Sequence, residues 1–229
     1  MNSVARAMCV LAGALLLATC TLTAGKITTD LTLRQDGRFD FAYKGEVILV
    51  DPSNSLDGMA VAGGETAPTP EQKAEADKKA AEKEGKYKAI VAALAKEKGV
   101  RAVRHLGGGK FDIDYAISGT LDHTFIFPFN SDAEIAIPFL MIEPRADNTA
   151  RVRAVGFVGS TGGMSPMGPG GPSPNNAQVD GLFTVRTDAE VLSGNDEDGP
   201  RKADGMAVYE WKVDPLRKDA PVLTVRLKR

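Results

Sequence analysis

Apolar and polar residues alternate along two short runs, residues 31–34 and 39–44. The apolar positions of these runs are Leu31, Leu33, Phe39, Phe41 and Tyr43. Alternation with a period of two predicts strands that bury one face. Asp36-Gly37 lies between the two runs, and Asp-Gly flanked by alternating apolar residues predicts a hairpin with a type I′ turn. The apolar run 47–50 continues the second strand.

A helical period replaces this alternation after a loop at residues 51–69. Thr69 is a candidate N-cap, Pro70 suits the first helical position, and Gln72 completes a capping box. We therefore predict a helix over residues 70–98. Its first half has only alanine as an apolar residue and should be solvated, whereas its second half carries an apolar face that must be buried. That face consists of Tyr87, Ile90, Val91 and Leu94.

The remainder of the chain is strand-like, except for a loop at residues 159–178 that is rich in glycine and proline. Candidate strands follow one another at 100–106, 110–121, 138–145, 150–158, 181–192, 206–214 and 221–229. The pattern predicts an α+β fold. It has an antiparallel β-sheet of about eight strands and one long helix that packs on the sheet by its C-terminal half.

The first nineteen residues have the order of a secretory signal peptide, with Arg6 before an apolar run that is too short to span a bilayer. Leu17-Ala18-Thr19-Cys20 resembles a bacterial lipobox, from which only Thr19 departs. The chain has two cysteines, Cys9 and Cys20, so the mature domain offers Cys20 no disulfide partner. We therefore expect acylation of Cys20. Ordinary cleavage near Ala24 and a buried helix are the alternatives.

Lipidation predicts a mature domain over residues 20–229 that faces the periplasm and is attached to a membrane through an acyl anchor such as palmitate. Thr21 follows the cysteine where inner-membrane retention would need Asp. By resemblance to Gram-negative lipoproteins, this favours the outer membrane. The net charge of −2 gives no reason to expect a nucleic acid as partner.

The sequence lacks the residue patterns of common catalytic and metal sites. His105 and His123 are the two histidines, and neither lies in a spacing typical of metal ligands. Asp112 and Asp114 share one strand face but have no identified catalytic partner, so we expect them to face solvent. There is no Gly-x-Ser-x-Gly motif and no phosphate-binding loop. We therefore expect no enzymatic activity, no catalytic residues, no cofactor and no metal.

Three segments together resemble an uncharacterised group of proteobacterial envelope lipoproteins. They are CTLTAGKITTDLTLRQDGRFDFAYKGEV, VRAVRHLGGGKFDIDYAISGTLDHTFIFP and GLFTVRTDAEVLSGNDEDGP. The first begins with the Cys-x-Leu-x-x-Gly-Lys pattern of that group. More distantly, the order of strands resembles the LppM-like lipoprotein domain. This second resemblance implies an α/β ligand-binding fold associated with envelope lipids or glycolipids, and neither resemblance implies an enzyme.

We therefore expect a non-enzymatic binding or structural module for a lipid or another apolar envelope ligand. Its candidate surface is the part of the sheet that the helix leaves open. Candidate ligand-facing aromatic residues are Phe39, Phe41, Tyr43, Phe111 and Tyr115, for which a place in the core is the alternative. The alternative function is an assembly partner that docks another envelope protein through its charged helix, residues 71–85. A deep apolar pocket would favour the first function, and an exposed, ordered helix the second.

Overall fold

The computed structural model describes residues 21–50, 69–128, 138–158 and 179–228. The predicted signal peptide, Cys20 and the loop at residues 159–178 lie outside the described residues, as does nearly all of the loop at 51–69. One helix and twelve strands are described. They are β1 (Thr21–Leu33), β2 (Arg38–Val50), α1 (Pro70–Leu94), β3 (Val100–Gly107), β4 (Lys110–Thr120), β5 (Phe125–Phe127), β6 (Leu140–Pro144), β7 (Thr149–Arg153), β8 (Asp180–Thr187), β9 (Glu190–Gly194), β10 (Arg201–Ala203), β11 (Met206–Val213) and β12 (Val222–Arg226).

The strands form two sheets, which corrects the prediction of one sheet with about eight strands. The larger has seven strands in the order β10-β11-β8-β1-β2-β4-β3, and the smaller has five in the order β5-β6-β7-β12-β9. Every pair is antiparallel except β1 and β8, which are parallel. The α+β class and the mostly antiparallel pairing are confirmed.

The chain changes sheets within a run that alternates without interruption. β8 ends at Thr187 in the larger sheet, and β9 begins at Glu190 in the smaller one. The turn is held by side chains, because the backbone N–H of Ala189 donates to Thr187 Oγ1 at 3.1 Å and that of Gln35 donates to Asp188 Oδ1 at 2.7 Å. Alternation reports only which face is buried, so it cannot show that two halves of one run join different sheets.

The two sheets enclose one hydrophobic core. Its largest fully buried side chains are Trp211, Tyr43, Phe41, Phe111, Phe139, Phe157 and Phe183. The opposite face of the larger sheet is polar and carries cross-strand ion pairs, as between Arg34 and Asp40. Asp112 and Asp114 lie on this polar face as expected, where they pair with Arg104 and Lys44.

The hairpin between β1 and β2 is confirmed, but its turn is not type I′. Such a turn needs positive φ at both central residues. Here Gly37 has φ of 84°, whereas Asp36 is not among the residues with positive φ. The Gly37 N–H donates to the Arg34 carbonyl at 2.9 Å. This is a type I turn followed by a glycine in the left-handed region, which adds one residue to the loop.

The helix begins as predicted and ends earlier. Thr69 and Gln72 form the capping box, and Pro70 is the first helical residue. The helix ends at Leu94 instead of residue 98, because β3 must begin at Val100 to pair with β4. Gly99, with φ of 96°, makes this turn close to the Tyr115 ring, where a Cβ would lie 2.6 Å from a ring carbon.

The C-terminal half of α1 packs against the core, as predicted. Tyr87, Ile90, Val91 and Leu94 are half-buried and contact the core cluster. No residue of the helix is fully buried. The apolar face therefore does not close on the sheet, and the space beneath it forms the candidate site.

Candidate functional site

A cavity of about 730 Å³ lies between the C-terminal half of α1 and the larger sheet. Its volume falls within the range of about 300–1,000 Å³ that is typical of small-molecule sites. The apolar lining residues are Leu22, Val47, Leu49, Ile90, Ala93, Leu94, Val100, Phe111, Ile113, Tyr115, Ile117, Phe125, Ile126, Phe127 and Pro128. An apolar lining of this extent favours a ligand with a large hydrocarbon surface.

Strand β4 forms the floor of the cavity because its alternating residues point to one side. Phe111, Ile113, Tyr115 and Ile117 occupy successive positions on the core face and all line the cavity. At about 3.4 Å per residue, the distance along the strand from Phe111 to Ile117 is about 20 Å. The floor is therefore long enough for an extended chain.

The segment around β5 forms a side wall. The Phe127 ring contacts those of Tyr115, Tyr43 and Phe41 at centroid distances of 4.8, 4.9 and 5.0 Å. The Phe125 ring lies 5.5 Å from that of Phe41. Ring pairs at these separations add to the stability that burial provides. The wall is therefore fixed to the core.

One end of the cavity lies at the start of β1. Leu22 of β1 pairs with Leu49 of β2, and both line the cavity. Leu22 is two residues after Cys20 in the sequence. The cavity thus extends from the first described residues of the domain along β4.

The polar lining residues are Glu97, Lys98, His123 and Thr124, and all four are exposed. The Tyr115 hydroxyl belongs to a half-buried side chain; burial, and secondly the negative charge of Glu97, raises the pKa of this phenol. It therefore stays protonated at neutral pH and keeps its hydrogen-bond donor. Polar contacts are available to a ligand where the cavity meets solvent.

A ring stack holds the middle of the helix to the sheet beside the cavity. The His105 ring lies 4.6 Å from that of Tyr87 and 5.2 Å from that of Phe111. His105 Nδ1 lies 3.7 Å from the Glu84 carboxylate, and its Nε2 is buried without a hydrogen-bond partner. His105 therefore supports the roof of the cavity. Among the described residues, no three or more histidine, cysteine, aspartate or glutamate side chains form a group that could hold a metal ion.

The five aromatic residues proposed from the sequence divide into two groups. Phe111 and Tyr115 line the cavity. Phe39, Phe41 and Tyr43 lie in the core with at most 5% exposure, which is the alternative that the sequence left open. The sequence analysis placed the candidate surface on the part of the sheet that the helix leaves open. The cavity instead lies between the helix and the sheet, because the half-buried face of the helix does not fill the space between them. The sequence analysis did not predict strand β5 or its place in the wall of the cavity. The apolar run Phe125–Phe127 was the feature of the sequence that could have indicated it.

Comparison with known proteins yields a distant likeness to a solved structure. No family model matches the chain, and no curated protein matches it significantly. Among solved structures, the chain is similar to the folded domain of Mycobacterium tuberculosis LppM, determined by NMR. The identity is 17%, the match covers 92% of this chain and 91% of that chain, and the TM-score is 0.34. In the part of the chain that the structure describes, no helix is long and apolar enough to cross a membrane.

Proposed function

We propose that this chain is a non-enzymatic binding module that holds an apolar, chain-shaped ligand, such as the acyl chain of a lipid, between α1 and β4. The observation that carries the proposal is the 730 Å³ apolar cavity. Its floor of four apolar side chains along β4 suits an extended hydrocarbon. Burial of apolar surface provides the affinity, at about 25 cal/mol per Å² removed from water.

The position of the charged groups supports the same ligand class. Glu97 and Lys98 lie where the cavity meets solvent, and no charged side chain that lines it is buried. A ligand would thus place its hydrocarbon inside and its polar end outside, near the Tyr115 hydroxyl. An ionised group deep in the cavity would lack a partner and would be strongly disfavoured.

The proposal includes an acyl anchor on Cys20 and a place in the cell envelope, at the outer membrane and facing the periplasm. The support is the lipobox-like segment 17–20 and the absence of any cysteine after residue 20. An anchored domain would meet its ligand at a membrane surface, where apolar molecules are concentrated. Leu22 would then bring one end of the cavity close to that surface.

A cavity-filling variant tests ligand binding. Ala93 lines the cavity and is exposed at its edge, so Ala93→Trp should place an indole across the cavity without replacing a core residue. With dansyl-labelled undecanoic acid as the fluorescent probe, we expect the variant to bind about tenfold more weakly, a loss of about 1.4 kcal/mol.

The matched control is Ala92→Trp, because Ala92 is exposed on the same helix turn and does not line the cavity. This control should bind the probe as the wild type does. Equal affinity of all three proteins would show that the probe does not occupy this cavity. Failure of the wild type to bind any of a series of fatty acids and phospholipids would refute the proposed ligand class.

A second candidate function is docking of another envelope protein through the charged first half of α1. One observation favours it: every residue from 70 to 82 is exposed, although this half of the helix is ordered and capped. Crosslinking from Lys78 in intact cells tests it. Capture of one envelope protein, lost when residues 71–82 are replaced by alanine and glutamine, would support docking, and the absence of such a product would refute it.

A further inference from the structure

The cavity has two ends of different chemistry, and strand register places the first of them. Leu22 pairs with Leu49, and the Leu49 N–H donates to the Gly109 carbonyl at 2.8 Å. Both leucines line the cavity. They lie beyond Phe111, the first of the four floor residues along β4. This part of the cavity, formed by Leu22 and Leu49, is its N-terminal end.

The polar lining residues lie at the other end. Burial, and secondly the negative charge of Glu97, raises the pKa of the Tyr115 phenol. Glu97 and Lys98 therefore lie beside Tyr115, the third of the floor residues. His123 and Thr124 directly precede β5, which packs against the same tyrosine. The N-terminal end is about 20 Å away along β4, and its described lining residues are all apolar.

The two ends therefore suit chains that differ in their polar group. A free fatty acid carries a carboxylate, which finds polar side chains and solvent where Glu97 and Lys98 line the cavity. An acyl chain of a lipoprotein cysteine is joined through an ester or an amide, which carries no charge. The apolar N-terminal end can admit such a chain without burying an unpaired charge.

Cys20 is within reach of the N-terminal end. Thr21 is the first residue of β1 and pairs with Val50. Cys20 is bonded to Thr21, so its Cα lies no more than about 7 Å from that of Leu22. A chain attached to the Cys20 sulfur therefore starts next to a residue that lines the cavity.

The length of the cavity also fits an acyl chain. The hydrocarbon core of a bilayer is about 30 Å thick and holds two layers of chains, so one chain spans about 15 Å. The floor from Phe111 to Ile117 is about 20 Å long, and it continues at one end to Leu49 and Leu22. One extended chain can thus lie along β4 with its linkage at the N-terminal end.

We propose that one acyl chain of Cys20 enters the cavity from its N-terminal end and occupies it while no free ligand is bound. This inference rests on both parts of the proposed function, the acyl anchor and the apolar cavity. A chain attached so close by has an effective concentration of the order of millimolar. Its insertion also removes the free-energy cost of an unfilled apolar cavity.

A free ligand and the attached chain then exclude each other. Each buried methylene of an acyl chain contributes about 0.8 kcal/mol in the bilayer, and burial in an apolar cavity is favourable by a similar amount. A bound ligand returns the attached chain to the membrane and strengthens the anchor. By linkage, a membrane that holds this chain frees the cavity for ligand.

A single alkyl chain on Cys20 tests this occupancy. The mature chain, residues 20–229, contains every described residue and has one thiol, at Cys20. Hexadecyl methanethiosulfonate attaches a hexadecyl chain there through a disulfide, and methyl methanethiosulfonate gives the matched control. On monomeric protein, we expect the hexadecyl form to bind dansyl-labelled undecanoic acid about tenfold more weakly than the methyl form, because only empty cavities bind the probe. Reduction of the disulfide should restore the affinity in the same sample.

Vesicle binding tests the same occupancy without a probe. Ala93→Trp and its control Ala92→Trp each carry the hexadecyl chain on Cys20 and are mixed with vesicles of phosphatidylethanolamine and phosphatidylglycerol. The indole at residue 93 denies the chain its cavity, so this variant should partition into vesicles about tenfold more strongly than the control. The methyl forms of the two variants should bind vesicles equally, which controls for the added indole. Matching circular dichroism spectra show that all forms fold.

The outcomes separate this inference from the proposed function. Equal probe affinity of the hexadecyl and methyl forms, with equal vesicle binding of the two hexadecyl variants, overturns the inference and leaves the cavity to a free ligand. A methyl form that does not bind the probe, beside stronger vesicle binding of hexadecyl Ala93→Trp, supports the inference and refutes the free ligand. A mature protein from cells whose Cys20 carries no acyl mass refutes the anchor, and the inference with it.

Discussion

Truncation of Leu94 tests whether the helix is a roof over a cavity or part of a closed core. Leu94→Ala removes three carbon atoms, and each buried methylene contributes about 0.8 kcal/mol. Leu94 is half-buried and borders the cavity, so about half of that contribution is at stake. We expect a loss of about 1 kcal/mol in the free energy of unfolding, where a closed core would lose about 2–5 kcal/mol.

Ile142→Ala is the matched comparison. Ile142 is fully buried between the sheets, so its truncation should cost about 2–5 kcal/mol. Equilibrium urea unfolding of both variants and the wild type, followed by circular dichroism, gives the two differences. Equal losses would mean that the helix closes on the sheet and that the cavity collapses in solution. Binding of the dansyl probe should weaken in Leu94→Ala, because the ligand loses part of its roof.

Three further predictions concern the turn, the polar face and the anchor. Gly37→Val should cost at least about 1–2 kcal/mol in urea unfolding, because valine resists positive φ; Gly37→Asn should cost less, and equal values would contradict this account. The hydrogen bond from Ser118, followed by that from Arg34, lowers the pKa of Asp40. The stability this provides is present above the unfolded pKa of about 3.9 and is lost as pH falls through the folded value. Asp40→Asn should therefore lose less stability on acidification than the wild type, and an unchanged pH profile would refute this. Cys20→Ser should abolish the acyl mass of the N-terminal peptide and partitioning into Triton X-114.

The start of the helix and the first hairpin could be predicted from the sequence, because both depend on interactions between residues that are close together in the chain. The capping box of Thr69 and Gln72 is a contact between neighbours in sequence, and the helix begins where it indicates. The hairpin at Gly37 likewise depends on a short turn. The turn type was wrong because Asp-Gly is compatible with more than one loop length, and the pairing of the strands decides between them.

Pairing between strands that are far apart in the sequence determines the features of the fold that the residue pattern did not predict. The parallel contact of β1 with β8 joins residues more than 150 positions apart, and no periodicity encodes it. The number of sheets followed from the change at residues 187–190, which leaves alternation intact. Phe41 and Phe111 likewise cannot be distinguished by the residue pattern, because each is an apolar position in an alternating strand. Both side chains are buried in the core, and only the placement of α1 and β5 makes Phe111 also line the cavity, which Phe41 does not.

The apolar face of α1 shows why a correct pattern can still miss a site. Four side chains at helical spacing predicted that this face is covered, and it is, but only in part. Periodicity gives the direction of burial and not its depth, which depends on how far the partner surface lies below. Here the β5 wall, which packs on the core through the rings around Phe127, borders the space that remains between helix and floor. A helix that were needed only for stability would gain from closing that gap, since an unfilled apolar cavity costs free energy. The presence of this gap beside a well-packed core is therefore the observation that most favours the proposed ligand.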